Sequence, residues 1–293
     1  MLEAALRIPL ESAGFRIQRF HPFATYGDRL YAWVDGDRYG PGGSKDVVPV
    51  DLVALPPEEA AMRLRAHGNE ADAALVEQAA ADFECQSDES YYADNVRLLE
   101  RSYLAAKTVE GGSGFGRDAD AWREARGAIV DGLTGDGTFL DVGCANGLLM
   151  ESVVAWASAR GLRIEPYGID LAPGLIQLAR RRLPQWANRL WVGNAIDWLP
   201  PDGRRFDYVH TLLDCVPVAR WRDLLQHQLT HLVEPGGRLL VSQYFGSGAT
   251  PQPSTGDVLR PLGFQVDGES APHNPAFAAK ASHAWIDAPP RDR

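Results

Sequence analysis

Two patterns of hydrophobic and polar positions divide this chain into an N-terminal and a C-terminal part. In the N-terminal part, strand-like apolar runs lie at 15–20, 30–34 and 47–54. Two helical patterns follow them, one at PPEEAAMRLRAH and one over about 70–84. These patterns predict a small α+β region over residues 1–85, whose role the sequence does not indicate.

From residue 86 the pattern changes to long helices and then to a regular alternation of strand and helix. Two helices, interrupted by GGSGFGRD, occupy about 86–136. Five strand and helix units then follow, from TFLDVG to GRLLVSQYF, which indicates parallel strands joined by right-handed crossovers. The tail runs FQVDGESA and ASHAWIDA predict an antiparallel closure of the sheet. Residues 86–293 are therefore predicted to form a doubly wound α/β domain.

Charge and composition narrow the classes of partner. The net charge of -10 disfavours nucleic acid, since such binding depends on clustered Lys and Arg. No apolar run reaches the length of a membrane span, and the N-terminus lacks the pattern of a secretory signal. We therefore expect a cytoplasmic protein with no nucleic-acid or membrane partner. Three scattered cysteines predict neither a disulfide framework nor a metal knuckle.

The glycine loop DVGCANG follows the first strand of the alternation, where open parallel sheets bind their ligands. A dinucleotide fingerprint needs glycine where Ala145 and Leu148 stand, and a Walker A loop needs Lys and Ser or Thr after Gly147. Both phosphate motifs fail. The helix start at Leu148 suits a carboxylate, while Asp141 suits an ammonium group. The two charges together indicate an amino acid.

The next two strands end in groups that suit a nucleoside. Asp170, in YGIDLAP, is placed to accept hydrogen bonds from a ribose diol. Asn194 and Ala195 follow the third strand, where a side-chain amide and a backbone amide read the edge of a base. An amino acid, a ribose and a base in one ligand predict S-adenosylmethionine.

Five motifs, in this order, resemble those of the class I S-adenosylmethionine-dependent methyltransferases. They are FLDVGCANGLLMES, YGIDLAP, VGNAIDWLP, FDYVHTLLDCVP and LVEPGGRLLVSQYF. The resemblance covers roughly residues 88–293, and the chain resembles in particular the actinobacterial-type small-molecule enzymes, in which GGSGFGRDADAW precedes the first strand. It implies a Rossmann-like, seven-stranded, mostly parallel sheet with helices on both faces, a helical lid over 86–136, and methyl transfer.

The same resemblance assigns roles to individual residues. The glycine loop would comprise Gly143, Ala145, Asn146 and Gly147, with Ala145 replacing a more usual glycine. Leu171 would pack on the adenine, and Asn194 takes the place of a frequent Asp near the adenine amino group. Backbone carbonyls of Thr211 and Leu212 would face the methionine amine, as Asp141 would. In the lid, Phe115 of SGFG is predicted to touch the ligand.

The acceptor side is less clearly marked. A base is needed only if the acceptor must lose a proton. Asp214 is the preferred candidate and His210 the second, although the sequence favours equally a satisfied His210 within the sheet; the other candidates are Tyr244 and His273. His227 and His231 share a helix face, but Gln228 stands where the zinc-protease pattern has Glu, so no metal is predicted.

Three functions remain open on the sequence. The first is a methyltransferase that methylates an O or N atom of a small molecule, in specialised metabolism. The second is a non-catalytic protein that binds S-adenosylmethionine or S-adenosylhomocysteine for regulation or assembly. The third, a nicotinamide oxidoreductase, fits poorly because the dinucleotide pattern fails. A homodimer is left open, and the sequence does not give the identity of the acceptor.

Overall fold

The computed structural model describes most of the chain from residue 88 onward and parts of the N-terminal region. The described residues are 15–26, 29–38, 57–66, 68, 70–71, 73–74, 76–78, 88–244, 253–278 and 281–290. The chain divides into two compact units, Met1–Leu98 with Gly246–Gly248, and Leu99–Phe245 with Ala249–Arg293. The division predicted at residue 85 stays a prediction.

The N-terminal unit contains an antiparallel strand pair, β1 (Phe15–Tyr26) and β2 (Arg29–Arg38). Both strands are longer than the apolar runs that predicted them, because the pairing continues to Phe15↔Arg38 at one end and to Tyr26↔Arg29 at the other. Helix α1 spans Pro57–Ala66, at PPEEAAMRLRAH. The predicted strand at 47–54 lies outside the described residues.

The second unit is built around a seven-stranded sheet of order β5-β4-β3-β6-β7-β9-β8. Its strands are β3 (Gly137–Val142), β4 (Ile164–Asp170), β5 (Leu190–Val192), β6 (Phe206–Leu212), β7 (Val233–Tyr244), β8 (Gly268–Ser270) and β9 (Ala281–Asp287). Strand β9 runs antiparallel to both β7 and β8, and the other pairings are parallel. The predicted doubly wound α/β fold, with an antiparallel closure from the tail, is confirmed.

Helices connect the strands and precede them. They are α2 (Asp88–Leu104), α3 (Ala119–Arg126), α4 (Leu148–Ser158), α5 (Pro173–Arg182), α6 (Trp221–His231), α7 (Thr255–Leu259) and α8 (Pro275–Ala278). Asp118 caps α3 by accepting a hydrogen bond from the Ala121 amide. Among the described residues, no helix is both long and apolar enough to cross a membrane.

The core lies between the sheet and the helices, and the side-chain period of two decides what each face carries. One face of the sheet presents Phe139, Tyr208 and Leu240 to a cluster that includes Trp122 and Val153. Two residues further along each strand, the same face carries polar side chains instead. The apolar layer therefore ends where the strands approach their carboxyl ends, and the candidate site begins there.

Candidate active site

The glycine loop after β3 makes three left-handed turns. Gly143 and Gly147 have φ values of 83° and 79°. A Cβ atom on Gly143 would lie 2.9 Å from Cys215 Sγ, and one on Gly147 would lie 2.6 Å from Leu183 Cδ1. Among the described residues, Ala145, with φ 47°, is the one residue other than glycine that has a positive φ. Alanine therefore takes a conformation that costs an L-residue about 1 kcal/mol. This explains why glycine would be the usual residue there.

Asp170, at the end of β4, holds this loop from the neighbouring strand. Its Oδ2 accepts a hydrogen bond from the Ala145 amide at 2.8 Å and its Oδ1 accepts one from the Ala172 amide at 2.9 Å. The side chain is 6% exposed. Burial raises the pKa of Asp170 to about 6, although the two amides oppose that shift. Asp170, which is predicted to bind the ribose, thus also fixes the glycine loop, a role that the sequence did not indicate.

Asn146 joins the glycine loop to the segment before α3. Its Oδ1 accepts hydrogen bonds from Ser113 Oγ at 2.7 Å and from the Leu148 amide at 3.1 Å, and its Nδ2 donates to the Val109 carbonyl at 2.7 Å. A Cβ on Gly112 would lie 2.6 Å from that Nδ2. Gly112 of the GGSG sequence is therefore explained by the close approach of this segment to the loop.

Asp141, at the end of β3, has one engaged and one free oxygen. Its Oδ1 lies 2.8 Å from His210 Nδ1, and its Oδ2 has no hydrogen-bond partner among the described residues. The side chain is 2% exposed. A buried carboxylate oxygen without a donor costs free energy that a bound cation recovers. This position beside the glycine loop fits the ammonium group of an amino-acid ligand.

The hydrogen bonds continue from His210 across the sheet. His210 Nε2 lies 3.0 Å from Ser242 Oγ, which lies 2.7 Å from His283 Nδ1, and all three side chains are buried. His210 is therefore a satisfied residue within the sheet, one of the two readings of the sequence. Asp214 is exposed in the turn after β6, and His273 is exposed near α8. The catalytic roles of Asp214 and His210 stay predictions.

The remaining predicted cofactor residues lie at the carboxyl ends of the parallel strands. Leu171 follows β4, Asn194 and Ala195 follow β5, and Thr211 and Leu212 end β6. Asn194 Oδ1 accepts from the Ile196 amide at 3.3 Å. The buried Thr211 hydroxyl accepts from Gln228 Nε2 at 3.2 Å. The strand order places these positions on one edge of the sheet, as open parallel sheets require of a ligand site.

A buried arginine that the sequence analysis missed lies above this edge. Arg126 is 9% exposed, and its guanidinium lies 3.7 Å from the ring centre of Tyr244, 4.5 Å from that of Trp122 and 4.9 Å from that of Phe115. The rings of Phe115 and Trp122 meet edge to face at 5.5 Å. Phe115 thus packs on a cation, and its predicted contact with ligand stays a prediction. Cation–π contacts stabilise a desolvated guanidinium.

The remaining histidine and cysteine side chains give no sign of a metal site or a reactive thiol among the described residues. His227 Nε2 lies 3.0 Å from the Trp198 carbonyl. Across the residues that the structure describes, no group of three His, Cys, Asp or Glu side chains is arranged to hold a metal ion. Burial raises the pKa of the Cys144 and Cys215 thiols, which keeps these cysteines unreactive.

Comparison with known proteins supports a methyltransferase. Residues 139–237, roughly a third of the chain, match the family model of a methyltransferase domain. A search of curated proteins found no match.

Among solved structures, similar chains include the N-methyltransferase NodS from Bradyrhizobium japonicum WM9 (16% identity, 59% of this chain and 98% of that chain, TM-score 0.44). Another is the glycopeptide N-methyltransferase MtfA (18% identity, 60% of this chain and 92% of that chain, TM-score 0.44).

The family match and the site together define the class of protein. Residues 139–237 form a methyltransferase domain, and they contain the glycine loop, Asp141 and Asp170. The site in this third of the chain suits S-adenosylmethionine as the cofactor of a methyltransferase. The actinobacterial subtype stays a prediction.

Proposed function

We propose that this enzyme transfers the methyl group of S-adenosylmethionine to an oxygen or nitrogen atom of a small-molecule acceptor, in specialised metabolism. The observation that carries the cofactor site is the buried Asp141 Oδ2, which has no partner among the described residues and lies beside a left-handed glycine loop. The net charge of -10 supports a small acceptor over a nucleic acid.

Each part of the cofactor has a matching group in the proposal. Asp141 would accept from the amino group, helped by the backbone carbonyls of Thr211 and Leu212. Asp170 would accept from the ribose hydroxyls, and Leu171 would pack on the adenine. The remaining contacts to the glycine loop, the base and the lid would come from Gly143, Ala145, Asn146, Gly147, Asn194, Ala195 and Phe115.

Catalysis in this proposal rests on positioning. Bound S-adenosylmethionine supplies a methyl group on a positively charged sulfur, and this sulfur leaves readily as a neutral thioether. The protein must hold the attacking atom in line with that methyl group and exclude water, which raises the effective concentration of the acceptor. Asp214, exposed where β6 ends, would orient the acceptor or remove its proton; the second candidate, His210, is buried with both ring nitrogens engaged by Asp141 and Ser242.

The proposal extends to organisation. Residues 1–85 would form a region separate from a methyltransferase domain over 86–293, with 86–136 as its lid. A homodimer is compatible with the proposal, and size-exclusion chromatography with light scattering measures it.

Turnover separates the proposal from its alternative, a non-catalytic protein that binds the same cofactor. We would incubate the purified chain with S-adenosylmethionine and a panel of small hydroxyl and amine compounds, and measure release of S-adenosylhomocysteine. Release that depends on one acceptor class supports the enzyme, and Asp214→Asn should slow it without weakening cofactor binding. Full activity with unchanged acceptor affinity in Asp214→Asn would remove Asp214 from the mechanism. Cofactor binding without turnover on any acceptor would favour the non-catalytic alternative.

A further inference from the structure

A continuous row of buried polar side chains crosses four strands of the sheet, from the cofactor site to the antiparallel strand. Asp141 on β3, His210 on β6, Ser242 on β7 and His283 on β9 are linked by contacts of 2.8, 3.0 and 2.7 Å. The strand register brings them together, since Asp141 pairs with His210 and Ser242 pairs with His283. Strand β9 thereby reaches the cofactor site through two intermediates.

The direction of these hydrogen bonds follows from the end at His283. Burial, and to a lesser extent the positive charge of Arg126, lowers the pKa of His283 to about 3, so its ring is neutral at neutral pH. Its Nε2 is buried and has no partner among the described residues. A proton there would be a buried donor without an acceptor, which proteins avoid more strictly than an unfilled acceptor. The proton is therefore on Nδ1, and His283 donates to Ser242.

The rest of the row follows from that donor. Since Ser242 Oγ accepts from His283 Nδ1, its own hydroxyl hydrogen is available for His210 Nε2. His210 Nδ1 then carries a proton and donates to Asp141 Oδ1, because a carboxylate only accepts. Every hydrogen bond in the row points toward Asp141, and such chains strengthen one another. Asp141 is thus held with Oδ1 occupied and Oδ2 left for a ligand.

We propose that His210, Ser242 and His283 are positioning residues for the amino group of S-adenosylmethionine, acting through Asp141. This inference rests on the proposed cofactor site. It adds that recognition of one functional group of the cofactor depends on a side chain of the antiparallel strand. Removing the donor at His283 leaves Ser242 free to turn its hydroxyl and His210 free to change tautomer, so Asp141 loses its fixed orientation.

The test compares two ligands that differ only in the amino group. These are S-adenosylhomocysteine and its analogue in which hydrogen replaces the α-amino group, each titrated calorimetrically into wild type, His283→Leu and His283→Asn. Leucine has a similar volume and no donor. Asparagine places an amide nitrogen near the position of Nδ1 and keeps the donor.

His283→Leu should weaken binding of S-adenosylhomocysteine about tenfold, within the coupling range of neighbouring groups in one network. It should leave binding of the analogue unchanged, and His283→Asn should restore most of the loss. Equal weakening of both ligands, which general damage to the sheet would cause, overturns the inference. Unchanged binding of both ligands by His283→Leu overturns it as well, while the proposed function stands. Failure of the wild type to bind S-adenosylhomocysteine would instead refute the proposed cofactor site.

A measurement on the wild type covers the case in which the leucine variant does not fold. Nitrogen NMR of the imidazole rings should show His210 protonated on Nδ1 and bare on Nε2. S-adenosylhomocysteine should shift the Nδ1 signal of His210, because an ammonium group then shares its carboxylate, and the analogue should shift it much less. The same shift with both ligands, or the opposite tautomer, would contradict the proposal.

Discussion

Replacing Asp170 by asparagine separates cofactor binding from folding stability. The carboxylate accepts one backbone amide on each oxygen, at 2.8 and 2.9 Å. Asparagine keeps one acceptor oxygen and turns an NH₂ group toward the other amide, where two donors then face each other. We expect the glycine loop to lose its brace and the ribose to lose its acceptor.

Two terms of opposite sign set the effect on stability. In the variant a backbone amide faces the asparagine NH₂ group and is left without an acceptor, which costs about 2 kcal/mol. The rise in the pKa of Asp170 from 3.8 to about 6 means that keeping this buried carboxylate ionised costs about 3 kcal/mol at pH 8. The variant removes that cost. We therefore expect the unfolding free energy of Asp170→Asn to lie within about 1 kcal/mol of wild type.

Cofactor binding has no such compensation. Losing the acceptor for the ribose hydroxyls should weaken S-adenosylhomocysteine about thirtyfold or more, because a hydrogen bond to a charged group is lost. The ribose also needs the ionised carboxylate. With a pKa of about 6 for Asp170, wild-type affinity should fall roughly tenfold from pH 8 to pH 5, since only about a tenth of the carboxyl groups are then ionised.

Calorimetry at four pH values between 5 and 8, beside urea unfolding at pH 8, measures both effects. Asp170→Asn serves as the control for the pH profile, because it cannot titrate and should show a flat affinity. Wild-type affinity that is equal at pH 5 and pH 8 would refute the reasoning. A pH slope that survives in Asp170→Asn would assign the titration to another group.

Other changes test the loop, the lid and the buried row. Gly143→Ala should lower the free energy of unfolding in urea by about 1–2 kcal/mol, because φ at Gly143 is 83° and Cys215 is close. Ala145→Gly should instead raise the melting temperature by removing about 1 kcal/mol of backbone strain. No difference in stability between these two variants would argue against the left-handed loop. Asn146→Ala removes three hydrogen bonds and should speed limited proteolysis of residues 105–118, and an unchanged cleavage rate would show that another contact holds this segment. Because the pKa of His283 is lowered in the fold, the unfolded state binds the extra proton, and the fold should lose stability as the pH falls from 6.5 toward 3. Asp170 opposes part of this trend between pH 6 and pH 3.8, because its pKa is raised. Urea titrations at several pH values measure the slope, and a wild-type slope equal to that of His283→Leu would contradict the assignment.

The sheet could be predicted from the sequence because each strand carries its own local signal. The alternation of apolar strands and amphipathic helices requires right-handed crossovers, and Asp141, Asp170 and Asn194 mark the ends of its first three strands. The strand ends were therefore predicted together with the class of ligand. The short strand β5 covers only Leu190–Val192 and ends before Gly193 and Asn194.

The contacts within the site could not be predicted, because strand register brings distant residues together. Nothing near His283 in the sequence indicates a link to Asp141, and Arg126 lies in an ordinary amphipathic helix. Asn146 was assigned to the cofactor by its place in the loop, whereas its amide groups bind protein atoms on both sides. The residue types indicated the chemistry, and only the fold shows which atoms remain open to a ligand.

Calorimetric titration of the wild type with S-adenosylhomocysteine and, separately, with a nicotinamide dinucleotide tests the central claim most directly. The account predicts micromolar binding of S-adenosylhomocysteine, lost in Asp170→Ala, and no binding of the dinucleotide, because the loop lacks the glycine pattern for a pyrophosphate. Binding of the dinucleotide without S-adenosylhomocysteine would contradict the account.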